Sequence, residues 1–286
     1  MSNSSPAVDG AAADNAVRAA ITFIVPQKDK PRFESAALTG GEPRIHFGIE
    51  RHEVTIADMR PVADQLTLER EGFLLLRHAT QVEDLYDDDL VESVYRGETE
   101  QLLREATGAR RAVIFDFTRR SDGPGGARNP DGLRGPATRA HADYTARSGP
   151  VRARDVLGAE AVEEALARGG HVEQINVWRP ITGPVLRAPL ALADASSVAP
   201  AELVATDQLF PDRTGEIYTL AYGARQRWYW APRMQRDEVL LIKGWDSRDG
   251  ARARSTPHAA FELPGQDPQG PPRESIEVRA YLLYDD

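Results

Sequence analysis

Two histidines and one aspartate have the residue types and the spacing of a metal site. His141 and Asp143 stand two positions apart in the segment RAHADYT, residues 139–145. On a strand, side chains two positions apart lie on the same face, so the imidazole and the carboxylate can converge on one cation. His258 lies far along the chain, in STPHAAF, and a closed sheet can bring it to the same place. Two imidazoles and one carboxylate on one face of an octahedral metal leave three positions open, which suits a chelating co-substrate and dioxygen.

Each of these residues also has an ordinary structural interpretation. A His-x-Asp sequence is common by chance and usually forms a hydrogen-bonded surface pair. His258 follows Pro257, so it also fits a turn in which the imidazole satisfies a backbone carbonyl. The other histidines have no comparable partner in the sequence and are most simply structural or exposed: His46, His52, His78 and His171.

A second polar group marks the start of the last predicted strand. In PRESIEVR, Arg273, Ser275 and Arg279 alternate, so a strand would turn all three side chains to one face. A guanidinium fork beside a hydroxyl suits the far carboxylate of a dicarboxylate. The ordinary alternative is that Arg273 pairs with a surface acid such as Glu274 or Glu277.

Composition and charge exclude several classes of protein. The chain has no cysteine, which excludes disulfides, thiolate zinc sites, iron–sulfur clusters and cysteine nucleophiles. A net charge of −9 argues against a nucleic-acid partner, because phosphate binding needs a concentrated basic surface. No apolar run is long enough to span a membrane. The first residues lack the basic start and apolar centre of a signal peptide, so the sequence predicts a disordered tail and a cytoplasmic protein.

The second half of the chain is predicted to be rich in strands. Apolar residues at helical spacing predict one helix between Asp87 and Gly108, and a second helix is predicted at Ala159–Arg168. The glycine- and proline-rich segment Ser121–Gly135 is predicted to be a loop and a mobile lid beside the His141 motif. Strands are predicted at Ile21–Val25, Val54–Ile56, Phe73–Leu76, Arg111–Thr118, His171–Trp178, Leu186–Leu192, Glu216–Tyr222, Gln226–Trp230, Glu238–Ile242 and Ser275–Tyr284.

These patterns predict a mainly β fold with flanking helices, an α+β protein with a sandwich or jelly-roll core. We expect one domain at residues 21–286 with an N-terminal α/β embellishment, preceded by the tail at residues 1–20. The length of 286 residues is within the range of a single β-barrel or jelly-roll enzyme.

The order of the motifs resembles that of the Fe(II)/2-oxoglutarate-dependent dioxygenases of the double-stranded β-helix (jelly-roll, cupin-like) fold. More narrowly, the chain is similar to the group described as CmcJ/NvfI-like, which includes the cephamycin methoxylation component, fungal tailoring oxygenases and gibberellin-desaturase-like proteins. The resemblance covers the chain from about residue 21 onward. It rests on His-x-Asp, the distant His and Arg-x-Ser, and on these segments: VTIADMRP (54–61), GF (72–73), ATGA (106–109), FDF (115–117), NVWRP (176–180), RWY (227–229), DS (246–247) and PHAAF (257–261).

The resemblance implies roles for individual residues. It implies Fe(II) bound by His141, Asp143 and His258, and 2-oxoglutarate held by Arg273 and Ser275, with Arg279 as the second choice for the carboxylate. Two further polar residues follow soon after the first ligands and are candidates to contact the co-substrate or the substrate: Asn176 and Arg179. For Arg179 a structural role, bracing Asp246, is the alternative, and the aromatic residues Tyr218, Tyr222, Trp228, Tyr229 and Trp230 form either a pocket wall or core.

The resemblance implies oxidation of a small molecule, a natural product, with dioxygen consumed and succinate and CO2 released. Hydroxylation, desaturation and ring formation are all open. Two other functions fit the same residues: a zinc or manganese hydrolase or lyase, and a non-catalytic binding protein. In a hydrolase, however, Arg273 and Ser275 would have no co-substrate to hold. The sequence leaves the oligomeric state open, with a homodimer among the options.

Overall fold

Two β-sheets packed face to face form the frame of the molecule. The computed structural model describes residues 15–40 and 43–285. In spatial order the larger sheet contains β1 (Val17–Ile24), β4 (Ile49–Asp58), β14 (Trp228–Trp230), β11 (Leu190–Ala193), β16 (His258–Ala260), β9 (His141–Ala142), β13 (Thr214–Leu220), β12 (Leu203–Leu209), β2 (Arg32–Glu34) and β3 (Arg44–Ile45). The smaller sheet contains β5 (Phe73–Arg77), β15 (Glu238–Asp246), β10 (His171–Pro180), β17 (Glu274–Tyr284) and β6 (Arg111–Ser121).

Helices cover the outer face of the smaller sheet and one end of the molecule. The helices are α1 (Ala36–Thr39), α2 (Asp88–Leu90), α3 (Arg96–Thr107), α4 (Ser148–Leu157) and α5 (Ala159–Ala167), with 3₁₀ turns at Arg60–Gln65, Ala195–Ser197 and Pro200–Glu202. A π-helical turn, Val91–Tyr95, joins α2 to α3, so the predicted helix between Asp87 and Gly108 is confirmed. Asp87 caps its start, and Gly108 ends it with a φ of 75°. Within the two described ranges, no helix is long and apolar enough to cross a membrane.

The larger sheet curls so that distant strands meet. Isolated bridges join Thr22 of β1 to Arg139 and Ile24 to Ala221, which brings the first strand back against the segment that leads into β9. The N-terminal strands are therefore part of the same sheet that carries His141 and His258. The prediction of a mainly β fold with flanking helices is confirmed.

Strand β17 has an apolar face toward the helices and a face with polar residues toward the larger sheet. Ile276, Val278 and Ala280 are buried in a cluster with apolar residues of α3. The alternate residues point toward the larger sheet, because successive side chains of a strand lie on opposite faces. These alternate residues include Arg279 and Ser275, and polar groups buried on that inner face need partners or a ligand.

Two local predictions need correction, and one helix was missed. The segment Ser121–Gly135, predicted to be a loop, contains a hairpin formed by β7 (Ala127–Asn129) and β8 (Gly132–Arg134). The side-chain amide of Asn129 bonds both the N–H and the carbonyl of Arg119, which ties the hairpin to β6. Helix α4 was not predicted. Strand β1 begins at Val17, so the last residues assigned to the tail at 1–20 belong to a strand, while residues 1–14 lie outside the described part of the chain.

The prediction that Arg179 contacts a co-substrate or substrate is wrong. Its side chain is fully buried on the outer face of the smaller sheet, where its Nε donates to the hydroxyl of Tyr95 at 2.9 Å. Its Nη1 donates to the carbonyls of His78 at 2.7 Å and Arg236 at 2.8 Å. The alternative, a brace for Asp246, is also wrong. On β10, Arg179 and Asn176 are an odd number of positions apart, so they face opposite sides.

We expect Arg179→Met to lower the free energy of unfolding by about 2–4 kcal/mol, because four acceptors lose their donor while the volume is nearly kept. Urea denaturation measures the change. Arg77→Met is the control, since Arg77 is exposed and pairs with the exposed Asp237; it should cost no more than about 0.5 kcal/mol. Equal losses in the two variants would show that Arg179 does not anchor the helical layer.

Candidate metal centre and its surroundings

Strand pairing brings His141 and His258 together. The two residues are direct partners in the antiparallel pair of β9 and β16, so their side chains lie side by side on one face. Their ring centroids are 4.6 Å apart. Asp143, two positions after His141, places its Oδ1 3.5 Å from the Nε2 of His141. The three residues each offer a ligand atom within 4.8 Å of the others, so the predicted cluster does assemble.

Backbone carbonyls orient both imidazoles. The Nδ1 of His141 lies 2.8 Å from the carbonyl of Arg139, and the Nδ1 of His258 lies 3.0 Å from the carbonyl of Thr256. A carbonyl only accepts, so each Nδ1 carries a proton; in the neutral imidazole the lone pair is then on Nε2. This is the arrangement that fixes metal-binding imidazoles in proteins. The contact of His258 with a carbonyl, proposed as its ordinary role, therefore occurs together with its place in the cluster.

The two oxygens of Asp143 have different surroundings. Oδ2 accepts from the Nδ2 of Asn176 at 2.7 Å and from the Nε of Arg279 at 3.2 Å. Oδ1 faces His141. Asn176 and Arg279 are direct partners on β10 and β17, so the smaller sheet grips one oxygen while the other is left for a ligand. Such a carboxylate suits a metal bound through a single oxygen.

Electrostatics keeps His141 and Asp143 in their metal-binding protonation states. Burial, followed by the charge of His258, lowers the pKa of His141 to about 3. Burial alone would raise the pKa of Asp143, but the nearby positive charge, first of all that of Arg279, outweighs it and holds that pKa well below its ordinary value. At neutral pH, His141 is therefore neutral and Asp143 is ionised, which are the forms that bind metal.

Arg279 is fully engaged by acidic and hydroxyl groups. Besides Asp143, it donates to Asp116 at 2.5 Å and Thr118 at 3.0 Å, and it pairs with Glu277. Its guanidinium therefore has little capacity left for a further carboxylate.

Arg273 differs from Arg279 because much of its hydrogen-bonding capacity is unused. It is 2% exposed, and its Nη1 donates to the carbonyl of Ala188 at 3.0 Å. Its Nε and Nη2 are buried and have no partner among the described residues. Burial, and then the charge of Arg120, lower the pKa of Arg273 to about 10. The predicted ion pair with Glu274 or Glu277 does not form. An unpaired buried guanidinium is costly, and an anionic ligand would remove the cost.

Ser275 lies close to Arg273 and is also only weakly bonded. Its hydroxyl is 3.5 Å from the carbonyl of Arg120, at the limit of a hydrogen bond. The Arg273 guanidinium lies 5.8 Å from the ring of Trp178. Trp178 is two positions along β10 from Asn176, a step of about 7 Å. The Arg273 guanidinium therefore lies next to Trp178, the same-face neighbour on β10 of the residue that holds Asp143.

A cavity of about 340 Å³ is lined by residues that adjoin the cluster in the chain and in the sheets. Its wall includes Tyr144, which follows Asp143, and Tyr218, which pairs with Ala142. It also includes Trp245, which is opposite Gln174 in the sheet. Trp228, Tyr229 and Trp230, three of the five aromatic candidates, are buried in apolar clusters instead.

A second group of carboxylates does not resemble a metal site. Glu69, Glu173 and Asp246 also lie within 4.8 Å of one another, but the Nζ of the fully buried Lys243 bonds all three at 2.7–3.0 Å. Arg248 adds a second cation to the group. A lysine ammonium and a guanidinium already supply the positive charge that a metal ion would bring.

Comparison with known proteins covers almost the whole chain. The family described as "Oxidoreductase/YMDC permease-like domain" matches residues 21–283. The alpha-ketoglutarate-dependent dioxygenase tstK of Talaromyces stipitatus is 30% identical over 275 residues, which are 92% of this chain and 96% of the relative. The hydroxylase/desaturase efuI of Hormonema carpetanum is 29% identical over 87% of this chain and 88% of its own. The solved structure of the iron and alpha-ketoglutarate-dependent endoperoxidase NvfI matches 96% of this chain and 100% of its own with a TM-score of 0.83 at 27% identity.

This chain belongs to the Fe(II)- and 2-oxoglutarate-dependent dioxygenases. The jelly-roll prediction is confirmed by the likeness to NvfI, and the dioxygenase depends on Fe(II), 2-oxoglutarate and dioxygen as its family does. The donor set fits that metal, since two imidazoles and one carboxylate with open positions are typical of non-haem Fe(II) oxygenases.

Two residues of this dioxygenase's site were missed in the sequence. Asp116 and Gln174 support Arg279 and Asn176, respectively. Asp116 is a carboxylate between two phenylalanines in FDF, and Gln174 precedes Asn176 by two positions in EQINVW, so a strand places both amides on one face. That signal was present, but it does not say which partner each residue meets.

We expect His258→Ala to weaken Co(II) binding by the dioxygenase by more than about 100-fold. Loss of a residue that only hydrogen-bonds a metal ligand lowers metal affinity by roughly 10–100-fold, and loss of the ligand itself should cost more. Calorimetric titration of metal-free protein measures the affinity. His46→Ala is the control, since that imidazole pairs with Glu34 at the surface, 2.8 Å away. Unchanged affinity in His258→Ala would remove His258 from the ligand set.

Proposed function

We propose that His141, Asp143 and His258 bind Fe(II) and that Arg273 and Ser275 hold the far carboxylate of 2-oxoglutarate. The observation that carries the second assignment is the buried Arg273 guanidinium with two nitrogens unbonded within the described residues. Asn176 and Trp178 lie on the same face of β10, so a five-carbon dicarboxylate bound at the cluster would extend along that face toward this guanidinium. When bound, the iron and its co-substrate supply an oxidation that consumes dioxygen and releases succinate and CO2.

The protein's own groups then have separable tasks. Asn176 and Arg279 hold Oδ2 of Asp143, so that Oδ1 stays directed at the metal position. Arg273 provides a fixed, charged fork, and Ser275 provides a hydroxyl that is free to turn toward a carboxylate. Arg279 is a weaker candidate for the co-substrate because Asp116, Glu277 and Asp143 already neutralise it.

The cavity beside Tyr144 takes the substrate. Its volume of about 340 Å³ lies at the lower end of the roughly 300–1,000 Å³ typical of small-molecule sites. Most of its wall is apolar, with aromatic rings and side chains such as Leu203 and Ala251, and Arg252 and Arg254 are among its polar residues. This supports a compact, largely apolar small molecule as the substrate, in agreement with a tailoring role in natural-product biosynthesis.

One catalytic domain accounts for the arrangement. Strand β1 pairs with β4, and β4 pairs with β14 beside the strands that carry the histidines. The N-terminal segment therefore completes the sheet instead of forming a separate unit. A hydrolase or lyase that uses the same three ligands is not favoured, because it would leave the Arg273 fork without a ligand.

We expect Arg273→Gln to weaken 2-oxoglutarate binding by roughly 30- to 150-fold, about 2–3 kcal/mol, because a charge-assisted fork is lost. Titration of 2-oxoglutarate into Co(II)-loaded protein measures this, and Co(II) affinity itself should stay the same. Arg273→Lys keeps the charge but not the two-pronged guanidinium, so its affinity for 2-oxoglutarate should lie between those of the wild type and Arg273→Gln. Arg96→Gln, on the helical side of the sheet, is the control. Wild-type 2-oxoglutarate affinity in Arg273→Gln would assign the carboxylate to another residue.

We expect Ala251→Trp to fill the substrate cavity and abolish product formation, while substrate-free conversion of 2-oxoglutarate to succinate continues. Comparison of all small metabolites from cells with the wild type, Ala251→Trp and His141→Ala should show one product missing from both variants. Ala224→Trp, at an exposed position, is the control. Wild-type product levels in Ala251→Trp would place the substrate elsewhere.

A further inference from the structure

Gln174 is a fully buried amide that touches the candidate metal centre only through another amide. Its Nε2 donates to the Oδ1 of Asn176 at 2.6 Å, and the Nδ2 of Asn176 donates to Asp143. Its own Oε1 is buried with no partner among the described residues. Gln174 therefore stands at the outer end of a chain of two amides that leads to the carboxylate.

The carboxylate dictates the direction of this chain. Ionised Asp143 can only accept hydrogen bonds, so Asn176 must present its NH₂ group to it. The carbonyl of Asn176 then faces away and needs a donor, and among the residues that the structure describes the NH₂ group of Gln174 supplies it. In that orientation the side-chain carbonyl of Gln174 has no hydrogen-bond donor among the described residues. A turned Asn176 would place its carbonyl against the carboxylate and its NH₂ against that of Gln174.

Gly244 makes room for the Gln174 amide. A Cβ at position 244 would lie 1.7 Å from the Oε1 of Gln174, far inside contact distance. Gly244 has no positive φ, so its backbone is open to other residues; what excludes a side chain is the amide itself. A leucine at position 174 would fill similar space without an unpaired carbonyl. An amide at this position therefore carries a cost that its bond to Asn176 must offset.

We propose that Gln174 is a positioning residue of the metal centre. By locking the amide of Asn176, it keeps Oδ2 of Asp143 bonded to the protein and so reserves Oδ1 for the metal. The inference rests on the proposed assignment of Asp143 as an iron ligand. Gln174 touches neither metal nor co-substrate, and its effect passes entirely through Asn176.

The first experiment removes the amide and keeps the volume. Gln174→Leu should weaken Co(II) binding to the metal-free protein about 10-fold, and Asn176→Ala should weaken it by ~10–100-fold. The double variant should bind no more weakly than Asn176→Ala alone, because both changes act on one bond. The visible spectrum of bound Co(II), which reports how the carboxylate coordinates, should change in Gln174→Leu.

Gln226→Leu is the matched control. Gln226 also has a buried Oε1 without a partner in the described chain, and its Nε2 bonds Glu202 and Ala221, away from the metal centre. Its loss should leave both Co(II) affinity and the Co(II) spectrum unchanged. A merely structural role for Gln174 predicts that the two glutamine variants behave alike.

The second experiment displaces the amide from the opposite side. Gly244→Ala should weaken Co(II) binding about as much as Gln174→Leu, because the new methyl group pushes the amide off Asn176. In a Gln174→Ala background the methyl group has space, so Gly244→Ala should have no further effect. Additive losses would mean that Gly244 acts independently of Gln174 and would overturn the proposed route.

The possible outcomes distinguish failure of the Gln174 proposal from failure of the proposed metal centre. Wild-type protein that binds no Co(II) would overturn both the metal centre and the role of Gln174. Normal Co(II) binding and an unchanged spectrum in Gln174→Leu, with binding lost in His258→Ala, would overturn the role of Gln174 alone.

Discussion

The carboxylate of Asp143 interacts with polar side chains from both sheets of this dioxygenase. One oxygen faces the histidine of the larger sheet, and the other is held by Asn176 and Arg279 of the smaller sheet. Neither sheet alone supplies both a ligand atom and its support. The geometry of the cluster therefore depends on the sandwich being closed, and a loss of register in β9 would separate the ligand from the groups that hold it.

Buried cations in this fold show how a functional residue differs from a structural one. Lys243 is surrounded by three carboxylates, Arg179 by neutral acceptors, and Arg279 by acids and a hydroxyl. Each is satisfied by the protein, as buried charges must be in a stable fold. Arg273 alone among these four retains two nitrogens without partners in the described chain, so its charge is left for a ligand. The protein accepts an electrostatic cost there that co-substrate binding offsets.

Local sequence patterns predicted the helices and strands more successfully than they predicted the contacts between them. The helix between Asp87 and Gly108 and most strands of the second half followed from periodicity, because apolar spacing records which face is buried. The hairpin in Ser121–Gly135 was missed because its strands are short and rich in glycine, and its anchor, Asn129, bonds to a different strand. Arg179 was misplaced because the sequence does not reveal which face of a doubly buried strand meets helices and which meets the other sheet.

The sequence by itself determined the metal-binding residue types, their order and the family resemblance. Spacing of two residues is enough to place His141 and Asp143 together, since strand alternation is a local rule. Only the tertiary structure decided that His258 pairs directly with His141, that Arg279 supports Asp143, and that Arg273 is left free. Those facts depend on which strands pair and which partners surround each charge. Such contacts join residues far apart in the chain, and no local pattern records them.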